Sequence, residues 1–185
     1  EEVKKGGGIA AVSFVPQSAK RMGPLAVEAG ADMIVVQGTV VTARHSSKSL
    51  KGLVFSDLIK DLDVPVLVGN TVSYEVTKEL MQQGIAGVMV GVGPGSVCTS
   101  REVLGIGIPQ VSATIECAAA RDDYFKETGK YIPIITDGGI RTGGDVCKSF
   151  AAGANAVMIG SPFAKTEEAP AKGFHWGMAA WHDSL

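Results

Sequence analysis

One pattern, written three times, limits what this chain can fold into. Gly30-Ala31-Asp32-Met33-Ile34-Val35-Val36-Gln37-Gly38 recurs as Gly84-Ile85-Ala86-Gly87-Val88-Met89-Val90-Gly91, and again as Gly153-Ala154-Asn155-Ala156-Val157-Met158-Ile159-Gly160. Each copy reads as a glycine that stops a helix, a short link, an apolar strand, and a glycine where the strand ends. Unbroken apolar runs such as residues 33–36 predict strands buried on both faces, as in parallel sheets. Runs at 9–14, 64–68 and 132–136 read as three more strands. The segments between read as helices. Val72, Val76 and Leu80 share one helical face, Val146 and Phe150 another, and residues 118–125 form a helix that stops near Gly129. Alternating strands and helices predict βαβ units and a parallel sheet. Six such units in 185 residues match the spacing of an eight-unit barrel of about 250 residues. The expected fold is therefore α/β, a (β/α)8 TIM barrel that is incomplete by about two units. A doubly wound open sheet is the alternative, but it usually shows one dominant glycine-rich phosphate turn. Here glycine-terminated strand ends recur.

A hydrophobic content of 45% supplies a core for one domain over residues 1–185. The net charge of −2 provides no basic stripe for nucleic acid or for an anionic membrane. A phosphorylated ligand must then be held by local backbone donors. The three cysteines, Cys98, Cys117 and Cys147, are odd in number and lack CxxC spacing. That favours a reducing, cytoplasmic compartment and no structural zinc. Cys117 and Cys147 fall on expected helices and read as core thiols. His45, His175 and His182 have no metal-ligand spacing.

Three loops after strands carry chemistry, because barrel sites lie at the C-terminal ends of strands. The first is Gly91-Val92-Gly93-Pro94-Gly95-Ser96-Val97-Cys98-Thr99-Ser100-Arg101. It places a cysteine among glycines whose N–H groups can receive an anion, so Cys98 is either a nucleophile or an incidental loop thiol. The second is Asp137-Gly138-Gly139-Ile140-Arg141. Its carboxylate can accept from sugar hydroxyls while the glycine N–H groups meet a phosphate, or it simply caps the next helix. The third, Gly160-Ser161-Pro162, ends the last strand and is either a phosphate contact or a small-residue turn. The lone GxGxG at Gly91 lacks the rest of a dinucleotide fingerprint, and neither a Walker A sequence nor a GxSxG elbow is present.

These loops, with Gly107-Ile108-Pro109-Gln110, Glu167-Glu168-Ala169-Pro170 and Trp176-Gly177-Met178, resemble the IMP dehydrogenase/GMP reductase family in order and spacing over nearly the whole chain. The resemblance is strongest to compact IMP dehydrogenase-related paralogues without CBS domains. It implies NAD-dependent oxidation of IMP to XMP, with Cys98 as the nucleophile, a covalent thioimidate, and Ser100 beside it. It implies that Ser96, Gly139, Gly160 and Ser161 hold the phosphate, Asp137 the ribose, and Gly177 and Met178 the purine, with Gly138 also at the substrate. Gly91, Val92 and Gly93 would border the nicotinamide. The carbonyls of Gly93, Gly95 and Cys98 would bind potassium, and the protein would form a homo-oligomer, a tetramer in the family.

The sequence also departs from the family. Ser100 stands for a threonine, Gln37 for the aspartate that meets the NAD ribose, and His175-Trp176 for Tyr-Arg. The first two barrel strands and the distal flap are missing, so the chain reads as a fragment that is oligomeric, completed by other chains, or poorly stable alone. The same loops fit two other functions: a GMP reductase (NADPH-dependent deamination of GMP) and a non-catalytic purine-nucleotide-binding paralogue. The Glu167-Glu168-Ala169-Pro170 run favours the dehydrogenase, and Cys98 argues against a non-catalytic role.

Overall fold

The computed structural model describes residues 2–43 and 52–177. Its elements run α1 (Glu2–Lys5), β1 (Ala11–Phe14), α2 (Pro16–Glu28), β2 (Met33–Gln37), α3 (Phe55–Lys60), β3 (Val66–Thr71) and α4 (Tyr74–Gln82). They continue with β4 (Gly87–Val90), α5 (Ser100–Leu104), α6 (Gln110–Thr128), β5 (Ile134–Asp137), α7 (Gly143–Ala151), β6 (Ala156–Met158) and α8 (Ser161–Ala164). All six strands are parallel and lie in sequence order, β1-β2-β3-β4-β5-β6. A doubly wound sheet reverses its order at a switch point, so sequential order excludes it and leaves an incomplete (β/α)8 barrel.

The repeated glycines do what their spacing predicts. Gly30, Gly84 and Gly153 have φ of +95°, +86° and +104° and turn the chain out of the preceding helix. The residue two positions later closes the unit from the other side. Asp32 accepts from the Ala10 N–H and Asn155 from the Ile134 N–H, each at 2.9 Å. In the middle copy this position is Ala86, which retains only the backbone bond from its N–H to the Val66 carbonyl.

The pleat divides the sheet into two faces. Ile34, Val36, Val66, Val68, Val88, Val90 and Ile134 are fully or almost fully buried. They share one core with Ala19 of α2, Phe55 and Leu58 of α3, Leu80 and Met81 of α4, and Ala113 and Cys117 of α6. Residues of opposite parity, including Gln37, Gly69, Met89 and Asp137, therefore face the barrel axis. Burial pushes the Cys117 thiol up to about 11, as befits a core thiol bonded to Thr77.

Cys147 is exposed on α7, against the expectation of a core thiol, and Phe150 is half exposed. The cause is their place in the sheet. α7 packs on β6, the edge strand, whose own residues are largely exposed, and it turns only Ser149 fully inward. Among the described residues no helix is long and apolar enough to cross a membrane.

Candidate active site

All three chemical loops converge at the C-terminal ends of the strands, where they line two adjoining cavities. The smaller, about 220 Å³, holds Cys98, Ser100, Gln37, Asn70, Gly91 and Gly177. The larger, about 560 Å³, holds Ser96, Ser161, Gly139, Gly160, Arg141 and His175. Pro94, Gly95, Val97, Asp137 and Gly138 line both. The glycine-rich loop with Asp137 thus forms the partition between a thiol compartment and a hydroxyl-rich one.

Cys98 lies in a turn closed by its own N–H on the Gly95 carbonyl, at 3.1 Å. Its thiol donates to the Ser100 hydroxyl at 3.4 Å. Ser100 opens α5. Gly93 and Gly95 are beside Cys98 in the smaller cavity, whereas Val92 is buried and lines neither cavity. The Val92 carbonyl accepts from the Ile108 N–H. Gly177 closes over the cysteine turn, because a Cβ there would stand 3.2 Å from the Val97 carbonyl oxygen. Met178, Arg44, His45, Trp181 and His182 lie outside the described residues.

Asp137 is not a helix cap. Thr142 caps α7 in a reciprocal capping box with Asp145, whose carboxyl Lys148 and the Arg141 N–H hold well below the usual range. Asp137 instead accepts two amide bonds at Oδ2, from Gln37 Nε2 at 2.6 Å and from Asn70 Nδ2 at 2.9 Å. Gln37 Nε2 also donates to Asn70 Oδ1 at 2.9 Å, and Ser13 Oγ donates to Gln37 Oε1. Four strand ends are thereby joined. Gln37 is buried and turned onto Asp137. Its amide braces Asp137 and also lines the smaller cavity.

Burial raises the Asp137 carboxyl above its ordinary value, against the lowering effect of the Asn70 and Gln37 hydrogen bonds. A raised folded-state value means that ionising Asp137 costs the fold. Its contribution is present below the unfolded value and lost as pH rises through the folded one. Asp137→Asn is therefore expected to raise the melting temperature near neutral pH, with the gain shrinking in acid. Paired thermal melts at the two pH values check this.

Asn70 was not singled out by sequence reasoning. Its signal was the polar amide interrupting the apolar run of β3 at its C-terminal end. Gln110, which ends the Gly107-Ile108-Pro109-Gln110 motif but drew no role from it, is a second brace. It donates from Nε2 to the Val90 carbonyl at 2.7 Å and to the Asp137 carbonyl at 3.1 Å, bracing β4 against β5. Among the described residues no cluster of three or more His, Cys, Asp or Glu side chains is placed to hold a metal.

The sequence matches the model of the IMP dehydrogenase / GMP reductase domain over residues 3–179. The chain belongs to this family. It is 41% identical over 185 residues to an uncharacterized oxidoreductase of Mycolicibacterium smegmatis, covering 99% of this chain and 49% of that protein. To the inosine-5'-monophosphate dehydrogenase of Aquifex aeolicus it is 44% identical over 167 residues, 90% of this chain and 32% of that one. The crystal structure of an IMP dehydrogenase/GMP reductase-like protein from Corynebacterium glutamicum superposes with a TM-score of 0.84 at 40% identity, over 93% of this chain and 44% of that one. The chain spans about half the length, or less, of the curated relatives it matches. As a member of the IMP dehydrogenase/GMP reductase family, it carries an oxidoreductase fold whose thiol and hydroxyl compartments meet at one carboxylate.

Proposed function

We propose that this protein oxidises IMP to XMP through a covalent adduct on Cys98. The observation that carries the reading is the partition at Asp137: a cysteine compartment on one side and a serine–glycine compartment on the other, joined by a carboxylate. A nucleoside monophosphate has this order of groups, with a reactive base, a diol and a phosphate. Ser96, Ser161, Gly138, Gly139 and Gly160 would receive the phosphate, and Asp137 would accept from the ribose hydroxyls. Gly177, with Met178 beyond it, would lie along the purine.

The Cys98 thiolate would add to C2 of the base, and loss of hydride from that carbon would leave the ring bonded to sulfur as a thioimidate. Water would then attack C2, the thiolate would leave, and XMP would form. Splitting the oxidation into two steps is what an activated thiol supplies. NAD, when bound, supplies the hydride acceptor. Gly91 and Gly93 line the thiol compartment and fit a flat ring at close range. Potassium is proposed at the carbonyls of Gly93, Gly95 and Cys98. The Gly95 carbonyl already accepts one N–H and has a second lone pair to offer. The working form is proposed to be a cytoplasmic homo-oligomer, a tetramer.

The test is NADH formation, followed by absorbance, from IMP and NAD in potassium buffer. NADH that depends on IMP supports the reading. Silence with IMP but consumption of NADPH with GMP would transfer the same thiol chemistry to the reductase reaction and overturn it.

A further inference from the structure

The hydroxyl compartment contains an imidazole to which the family resemblance gave no role. His175 Nε2 lies 2.9 Å from Ser161 Oγ, and Ser161 Oγ lies 2.5 Å from Ser96 Oγ. The other ring nitrogen, Nδ1, is 3.2 Å from the Gly173 carbonyl. A carbonyl only accepts, so Nδ1 carries a proton in every state of the ring that keeps this bond. In the neutral ring Nε2 is then an acceptor, and the Ser161 hydroxyl spends its one hydrogen on it. In the imidazolium Nε2 becomes a donor to Ser161 Oγ, and the serine hydrogen is released toward the cavity or Ser96.

We propose that His175 sets the direction of the Ser161 hydroxyl, so that the compartment binds a phosphate monoester more tightly when the imidazole is protonated. The proposal rests on the nucleotide reading above for its ligand class, and on the three-residue chain for its mechanism. Protonation acts twice. It adds a positive charge one hydrogen bond from the seat, and it turns Ser161 into a donor for an anion that offers only acceptors. Among the described residues, the other charged groups facing this compartment are Arg101 of α5, Arg141 after β5, and Asp137 of β5. Lys165, after α8, runs its side chain past Gly173. The arginines and the lysine are common to wild type and variants. So is Asp137, whose effect cancels in their comparison.

The test is the affinity for IMP, ribose 5-phosphate and inosine, measured by calorimetry from about pH 5.5 to about pH 8.5. Wild type is compared with His175→Gln, whose neutral amide keeps a hydrogen bond to Ser161. The expected result is a variant-to-wild-type ratio of dissociation constants of about tenfold at the acid end, closing to about one at the alkaline end. Inosine, without the phosphate, should show no such trend. The phosphate's own second ionisation, near pH 6 in general, affects both proteins and drops out of the ratio. Ser161→Ala removes the switched hydroxyl and is expected to flatten much of the same pH dependence, which tests the idea should the glutamine variant fail to fold. A ratio that does not change with pH overturns the proposal. IMP binding no tighter than ribose 5-phosphate would count against the purine reading while leaving the role of His175 standing. Failure of wild type to bind any phosphate ester overturns both.

Discussion

Gly91→Ala is expected to lower the melting temperature by about 10 °C and to abolish ligand binding at the rim. Gly91 has φ of +141°, in the region that side chains other than glycine's rarely adopt. A Cβ built there would stand 2.6 Å from the Asp137 carbonyl oxygen and 2.7 Å from Gln110 Nε2. Those two atoms are partners in the brace between β4 and β5. The added methyl therefore meets backbone on one side and an engaged amide on the other. Backbone strain of about 1–2 kcal/mol and overpacking of about 1–3 kcal/mol sum to about 3 kcal/mol. A chain of this size loses about 2–4 °C per kcal/mol. Gly84→Ala is the control. Gly84 has φ of +86° but nothing within 4 Å of its added Cβ, so it carries the strain without the collision. A melting curve for Gly91→Ala that overlays the Gly84→Ala curve would remove the brace from the account of the site.

How much of this was legible beforehand follows from the range of each signal. A helix stop, an apolar strand and a strand-end glycine are local events, so Gly30, Gly84 and Gly153 announced three βα units from sequence alone. That Cys98, Ser100, Ser96 and Ser161 sit at one rim was legible because each follows a strand, and loops after parallel strands gather at one end of the sheet. The brace on Asp137 was not. Its donors lie 100 and 67 residues away in sequence, and only the parallel register brings them together. From sequence Gln37 reads only as a departure from the family's aspartate; its bond to a carboxylate appears only in the sheet. Had position 37 been aspartate, two carboxylates would share that contact, and like charges at such range resist ionising together. The amide avoids that conflict. The reading of Cys147 as a core thiol failed for the opposite reason. Helical spacing identifies a face, but burial of that face depends on what the neighbouring strand provides, and β6 is an edge.

Cys98→Ala is expected to reduce turnover of IMP by at least about 10⁴-fold while leaving the dissociation constant for IMP within about threefold of wild type. Binding and chemistry would separate under the proposed function because most of the proposed phosphate contacts lie outside the thiol compartment. The phosphate would be held by Ser96, Ser161, Gly139 and Gly160, which line the larger cavity, and the Cys98 sulfur is hydrogen-bonded to Ser100 instead. The thiol contributes one hydrogen bond, to Ser100, and that hydroxyl can turn to solvent when the sulfur is gone. The fold should tolerate the change, since Cys98 is only half buried and its turn is closed by a backbone bond that alanine keeps. Cys147→Ala, exposed on α7 and outside both cavities, is the matched control and should turn over as wild type does. Mass spectrometry during turnover gives a second readout: an adduct of substrate mass on the wild-type peptide containing residue 98, and none on the variant. Residual turnover above about a hundredth of wild type in Cys98→Ala would mean that water attacks the base directly. The cysteine would then be a wall of the compartment, and its contact with Ser100 a matter of packing.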